Sequence, residues 1–482
     1  MRTAMLWFRQ DLRLADNSAL HDALKQFDRV VMVYVHAPCE LGEWSPGEAS
    51  QWWLHHSLSS LELSVQKLGG RLIIRSGSSL EQLSDIAKQA QVNTLFFNRA
   101  YDPILVERDR EIVHSFKNIG IKCREYNGLL LFNPEHISTQ TGSPYRVFTP
   151  FWNKFQSLFQ LEQPLPVPNQ LNHAYCSLDS TSIDDLGLLS QIRWYDKLHQ
   201  YWQPGEDAAQ DKLESFLSQN LIAYSALRDR PDVNGTSLLS PHLHFGEISP
   251  RQLLWRSRIV ANSSIPGLLQ ALETFTKELV WREFAYYTLH HYPRIIGEPL
   301  NERYRNFPYA KNREDLLLAW QTGRTGFPLV DAGMRQLWES GTMHNRVRMI
   351  VASFLTKNAL ISWKRGARWF LDTLVDADLA SNTFNWQWVA GCGADAAPFF
   401  RIFNPISQSQ KFDPVGKYIK QWLPELARMP QRYIHEPWKM PAAVQKDFKI
   451  FIGKTYPSPI IDLKQTRQTA IDLFQRHVKT GV

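Results

Sequence analysis

Cysteine is scarce and scattered: Cys39, Cys123, Cys176 and Cys392 are the four in 482 residues, with no CxxC and no metal-ligand spacing. This excludes a disulfide framework, lends no support to a zinc site, and fits a reducing cytoplasm. No apolar run approaches the ~18 residues that span a bilayer. The opening Met1-Arg-Thr-Ala-Met-Leu-Trp-Phe reads as a strand, without the apolar core of a secretory leader. GxGxxG is missing, so an ordinary dinucleotide fingerprint is excluded. There is no internal repeat, and low-complexity sequence is confined to the last ten residues.

What the chain has in excess is tryptophan: 17 residues, thirteen of them after position 150. A 44% hydrophobic content marks a folded globular protein, and the length exceeds what a single core serves, so two or three domains are expected. The formal charge of +7 favours an anionic partner, with nucleic acid first in line. A merely basic surface is the plain alternative on charge alone.

From Thr3 to Tyr126, β-rich runs (Ala4–Phe8, Val30–Val35, Arg71–Arg75, Thr94–Phe97, Lys122–Tyr126) alternate with helical patterns, which predicts a doubly wound parallel sheet. Ser45-Pro46 with Glu48 reads as a helix start, Ser45 as the cap. Residues 131–200 are rich in Pro, Asn and Ser, and Gln163–Asn169 reads as extended linker. Beyond 201 the 3.6-residue period dominates, as in Ala271–His290, Arg313–Trp320, Leu329–Trp338, Val347–Leu360 and Arg365–Leu374. The expected domains are therefore 1–130 (α/β), 131–200 (linker) and 201–482 (helical).

Four constellations carry chemistry. Asp376-Ala-Asp-Leu-Ala-Ser-Asn-Thr-Phe-Asn-Trp-Gln-Trp388 packs two acids, amides and two indoles into an apolar helical region. With Trp363 nearby, it suits electron transfer to a redox cofactor. Its paired acids could also form a metal or acid–base site, but no third ligand or histidine accompanies them. Glu278, Trp281 and Arg282 stand at i, i+3 and i+4 on one helical face, as a pocket wall or as a surface ion pair beside a packed indole. His344-Asn-Arg-Val-Arg-Met349 sets polar groups in an apolar helix, or is a basic solvated face. Gly235-Thr-Ser-Leu-Leu-Ser240 can hold an anion on hydroxyls and backbone N–H groups, or can be an ordinary helix cap.

Taken together, Asp376–Trp388, Gly341–Met349 and Glu278–Phe284 resemble the signatures of the photolyase/cryptochrome family. The likeness runs from Trp7-Phe-Arg-Gln-Asp-Leu-Arg13 to Trp422-Leu-Pro-Glu-Leu426. Trp52-Trp-Leu-His-His-Ser57 and Val389-Ala-Gly-Cys-Gly-Ala-Asp395 look most like the bacterial class III cyclobutane-dimer photolyases. The resemblance implies a sheet-containing antenna domain and a helical FAD-binding domain. It implies that Thr236, Ser237, Leu238, Leu239 and Ser240 hold FAD phosphate, and that Asp376, Ala377, Asp378 and Asn382 hold the ribityl chain and isoalloxazine, with Tyr224 and Arg282 also on the cofactor. An Asn at 382, where plant cryptochromes carry Asp, favours repair over signalling.

For the substrate, the resemblance implies Glu278 on the pyrimidine carbonyls, Trp281 stacked on the bases, Asn345 between flavin and lesion, Met349 against the dimer, and Trp388 in the same pocket. Arg346 and Arg348 would approach DNA phosphate, with Arg228, Arg401, Gln408 and Lys411 extending that face. Trp386 and Trp363 match the first two members of the electron-transfer chain. Phe307-Pro-Tyr-Ala310 stands where many relatives have Phe-Pro-Trp, so either Tyr309 serves as the outer member or another indole takes over. Asn385 and Lys277 are further departures, standing where Gly and an amide are common.

The implied activity is light-driven electron transfer from reduced FAD to a flipped-out cyclobutane pyrimidine dimer in DNA, by a monomer with no membrane association. The implied rivals are a cryptochrome photoreceptor, a (6-4) photolyase, which would show a histidine pair where only His344 stands, and, least of all, a generic flavoprotein oxidoreductase. Asp102–Arg108 lacks the Asn-Glu pair of some folate-binding relatives, so the antenna site either differs from theirs or is empty; the class III resemblance implies methenyltetrahydrofolate near Glu43.

Overall fold

The computed structural model describes residues 2–171, 177–261 and 265–479, so Cys176 lies outside the described residues. Five parallel strands, β1 (Thr3–Phe8), β2 (Arg29–His36), β3 (Leu72–Ser76), β4 (Val92–Asn98) and β5 (Lys122–Tyr126), form one sheet in the order β3-β2-β1-β4-β5. Each expected run is a strand, shifted or lengthened by at most two residues at an end. Alternation along β1 explains why this sheet is buried on both faces. Ala4, Leu6 and Phe8 enter a core with Leu20, Trp52 and Trp53, while Met5 and Trp7 enter another with Ile86, Phe97 and Phe116. The order reverses between β1 and β4, where sheets of this type bind ligands beyond their strands' carboxyl ends. At the edge, β5 carries Lys122, Arg124 and Glu125, charges that discourage further pairing.

By contact density the chain divides into two compact units. The first comprises Met1–Ile222, Ser237–Pro293 and Val375–Ala380, and the second Ala223–Thr236, Arg294–Leu374 and Ser381–Val482. The first holds the sheet and the long helix Leu268–His291. Residues 131–200 contribute the helix Phe148–Leu158 and add Leu171, Ile183, Leu186, Leu188, Tyr195 and Leu198 to the sheet's core. Among its described residues the second unit contains helices and no sheet strand. No described helix is long and apolar enough to cross a membrane.

Local detail departs from expectation in two places. The helix after Ser45 begins at Glu48 with Gly47 as its cap, because the Ser45 hydroxyl instead donates 2.8 Å bonds back to the Pro38 and Gly42 carbonyls. The expected helix Val347–Leu360 is α-helical over Asn345–Ser353, then widens to a π-helical turn over Phe354–Asn358. That turn holds a buried lysine, Lys357, whose Nζ donates to the Arg401 carbonyl at 3.1 Å and lies 5.1 Å over the Phe399 ring. Burial lowers its pKa to about 7.

Candidate functional site

In the first unit, Asp378 and Arg282 lie in one buried polar cluster with Tyr286, His244 and Asp102. The Asp378 carboxylate accepts from the Tyr286 hydroxyl and lies 3.5 Å from His244 Nδ1. Burial alone would raise its pKa, but the His244 imidazole, the Arg282 guanidinium and the Tyr286 hydroxyl together hold it well below the usual carboxylate range. Asp102 takes the opposite shift: burial, then the charge of Asp378, pushes it to about 7. Two neighbouring acids are thus driven apart, Asp378 towards its ionised form and Asp102 towards its protonated one. Arg282 donates to the carbonyls of Leu129 (3.0 Å) and Leu243 (3.4 Å) and covers the Tyr286 ring at 4.9 Å. Its side chain is only 12% exposed, which removes the surface-ion-pair alternative for this residue.

The Gly235–Ser240 loop does not act as an ordinary side-chain cap: Leu239 occupies the N-cap position of the helix Ser240–His244 without a side-chain cap bond. The Ser240 hydroxyl donates to Asp376 at 2.6 Å, and Leu238 is held at φ +54, a backbone region costly for leucine. Gly235 is required sterically, since a Cβ there would lie 2.8 Å from the Leu227 carbonyl oxygen. Thr236 and Ser237 remain partly exposed, so the loop can present hydroxyls to an anion.

On the helix Leu268–His291, Glu278 and Trp281 are both partly exposed. The Trp281 indole stacks face to face on Phe148, with centroids 3.7 Å apart and planes 7° from parallel, which fixes its ring orientation. The following residue but one, Glu283, is wholly buried, accepts from the Leu131 N–H at 2.9 Å, and is pushed by burial to about 8.

In the second unit, His344 caps the helix Asn345–Ser353: its Nδ1 accepts from the Arg346 N–H at 3.2 Å. Asn345 is therefore the first helical residue and is exposed. Burial lowers the His344 pKa to about 4, so the ring is neutral near pH 7. Arg346 pairs with Asp229 at 2.7 Å, lies 4.7 Å over Phe412, and directs Nη1 to the Met349 sulfur at 3.8 Å. Arg348 turns its Nε onto the Met343 carbonyl at 2.7 Å. Arg228 sits 5.7 Å over the Tyr224 ring. Asn404 caps the helix Pro405–Phe412, on which Gln408 is partly exposed and Lys411 exposed; Arg401, also exposed, precedes it.

Asn382 donates Nδ2 to the Ala367 carbonyl at 2.9 Å, which orients its amide. Trp386 is 2% exposed and packs between Phe370 (5.1 Å) and Trp320 (6.2 Å). It rests on Gly366, one turn beyond Trp363 on the helix Trp363–Thr373, so Trp363 shares the helix face that meets Trp386. Trp388, on the same helix as Trp386, is partly buried. Tyr309 packs on Phe307 at 4.9 Å, and burial raises its phenol well above its ordinary pKa. Oxidising it therefore needs a proton acceptor. Trp338, 46% exposed, stacks on Trp369 at 6.1 Å and provides an indole with direct access to solvent.

Phe148, Tyr286, His244, Asp229 and Phe412 are marked by no motif in the sequence, and Asp102 is marked only as part of the antenna segment. Tyr286 was within reach of a sequence reading, four residues after Arg282 and on the same face. The others meet their partners only through the fold.

Two family descriptions match the chain: "DNA photolyase" over residues 4–169 and "FAD binding domain of DNA photolyase" over 275–476. The deoxyribodipyrimidine photo-lyase of Agrobacterium fabrum is 43% identical over 99% of this chain and 98% of its own length. Cryptochrome-1 of Arabidopsis thaliana is 37% identical over 96% of this chain and 69% of its own length. Among solved structures, a bacterial class III photolyase from Agrobacterium tumefaciens superimposes with a TM-score of 0.95 at 42% identity, covering 100% of this chain and 98% of that one.

Proposed function

Given that the chain belongs to the photolyase/cryptochrome family, we propose that it is a deoxyribodipyrimidine photo-lyase that repairs cyclobutane pyrimidine dimers in DNA. Bound FAD in its reduced form would supply the chemistry, a blue-light-driven and reversible one-electron transfer to the dimer. The residues present fit that cofactor, since Asp378 is held ionised in a buried polar cluster, Asn382 is oriented by a backbone carbonyl, and a hydroxyl-bearing loop is free of helix capping. Asp378, Asn382 and Arg282 bind and orient the cofactor, with Tyr224 and Thr236–Ser240 on its remaining surface.

The observation that carries the repair reading is the pairing of Glu278 with Trp281 one helical turn apart, the indole locked flat against Phe148. A rigid aromatic wall beside a carboxyl suits a stacked pyrimidine pair with hydrogen-bonding edges. Asn345, Met349 and Trp388 also contact the dimer in this reading. Arg228, Arg346, Arg348, Arg401, Gln408 and Lys411 hold the DNA backbone and position the duplex without reading its sequence. His344 supports the dimer substrate over the (6-4) product, because a neutral imidazole committed to a helix cap is poorly placed to donate a proton. As antenna, methenyltetrahydrofolate near Glu43 is proposed, this residue being exposed in the 3₁₀ segment Pro38–Trp44 that follows β2.

The test is repair of an oligonucleotide carrying one dimer by the reduced protein, in light and in darkness, with Glu278→Ala alongside. Light-dependent repair, lowered in the variant at unchanged FAD content, is expected. Equal activity in darkness would refute the mechanism. Repair of (6-4) products alone would overturn the substrate, and full flavin loading without any repair would favour a photoreceptor.

A further inference from the structure

Arg346 is the residue of the His344–Met349 motif expected to reach DNA phosphate, yet its charge is already matched. The partner is Asp229, on the turn that follows the helix Tyr224–Leu227, and the contact is a single one of 2.7 Å. The pair is accessible on both sides: the arginine side chain is 21% exposed and the aspartate 41%. Nor is it geometrically complete, because Arg346 Nε is buried with no hydrogen-bond partner.

A second pair on the same turn makes the contrast. Arg230 grips Asp232 through two bonds, Nε at 2.7 Å and Nη2 at 2.5 Å, and the Asp232 side chain is only 3% exposed. A bidentate bond to a buried carboxylate is a structural clamp. A single contact to an exposed carboxylate can be exchanged for another anion of similar geometry. Asp229 is therefore placed to compete with phosphate for Arg346. While it stays in place, its own charge repels a phosphate arriving within a Debye length.

We propose that Asp229 is a specificity-determining residue of the DNA interface, an internal counter-ion that keeps Arg346 neutralised against undamaged DNA. A phosphate of intact duplex must displace or share the aspartate and gains little by doing so. A strand already held by an extruded lesion brings its phosphate to Arg346 at high effective concentration, and the exchange then proceeds. Asp229 thereby lowers affinity for the abundant wrong substrate more than for the rare right one, discrimination by an unfavourable term. This rests on the DNA-repair reading above and deepens it.

The experiment is equilibrium binding of fluorescent duplexes, with and without one cyclobutane dimer, across salt concentrations in the dark. The proteins are the parent, Asp229→Asn, Asp229→Glu, Arg346→Ala and the double variant Asp229→Asn/Arg346→Ala, each checked for FAD content and melting temperature. Asp229→Asn should bind undamaged duplex several-fold tighter, steepen its salt dependence by up to about one unit, and narrow the ratio between damaged and undamaged DNA. Asp229→Glu should restore the parental ratio. In the double variant the gain should vanish, because Arg346 is the group being released. Weaker binding of both duplexes by Asp229→Asn would overturn the proposal and make Asp229 a residue that merely positions Arg346; unchanged binding would refute any role. If the parent itself fails to prefer dimer-containing DNA, the repair reading has failed, an outcome separable from both.

Discussion

Gly366→Ala should destabilise the protein and disturb Trp386, although on helix propensity alone it ought to stabilise. Gly366 lies inside the helix Trp363–Thr373, where replacing glycine by alanine at an open position gains about 1 kcal/mol. Here the position is closed. An ideal Cβ would overlap Cη2 of Trp386, stand 2.5 Å from its Cζ3 and 2.7 Å from a Leu355 methyl. Ordinary carbon contacts need roughly 3.5–4.0 Å. The indole would have to retreat by about 1.5 Å, towards Phe370 and Trp320, which already pack against it. Overpacking of this kind costs roughly 1–3 kcal/mol. Against the propensity gain of about 1 kcal/mol, a net loss of up to about 2 kcal/mol is expected. It would appear as a lowered urea midpoint, followed by tryptophan fluorescence, together with slower photoreduction of bound flavin. A second arm isolates the cause: Trp386→Phe deletes the atoms that collide, so in that background Gly366→Ala should be neutral or stabilising. A single variant as stable as the parent, photoreducing its flavin at the parental rate, would refute the reasoning.

Trp386→Phe alone should abolish most flavin photoreduction while leaving repair by pre-reduced protein intact, and transient absorption checks both. Tyr309→Phe should have a partial effect, since its tightly held proton makes it a poor sole donor and the Trp338–Trp369 stack offers another exit; full loss in Tyr309→Phe would rule out that second exit. Arg346→Ala and Arg401→Ala should each flatten the salt dependence of DNA binding by about one unit, and an unchanged slope in both would move the interface elsewhere. On acidification, His344 and His56 have folded-state pKa values lowered to about 4 from 6.5, so the unfolded chain takes up their protons first. Stability is then full above about pH 7 and falls between pH 6.5 and 4, by roughly 1–3 kcal/mol for His344 and by less for His56, whose charge solvent screens. His344→Asn keeps a capping side chain and should remove its share of this loss in pH-dependent urea unfolding.

The strands of the sheet were legible because a strand buried on both faces is a continuous apolar run, and β1, β2 and β4 are such runs. The long helices were legible through their period. Ser45 was misread because its hydroxyl had a choice: the motif allows a helix cap, but the carbonyls of Pro38 and Gly42, brought round by the preceding 3₁₀ turn, won the bond. The π-helical turn at Phe354–Asn358 was invisible for a similar reason, since an apolar helical pattern does not reveal one extra residue per turn.

By itself the sequence determined the architecture, the helices and strands that carry the motifs, and the residue types available to a flavin, to a lesion and to DNA. These depend on periodicity and on neighbours a few residues apart, which a linear reading can see. Only the tertiary structure decided how those groups behave. It drove Asp378 towards ionisation and Asp102 towards protonation around one imidazole, turned Arg282 inward, flattened Trp281 on Phe148, and gave Arg346 an aspartate from a distant segment. Each of these outcomes is a balance of desolvation against a specific partner, and both terms depend on burial and on contacts between residues far apart in the chain.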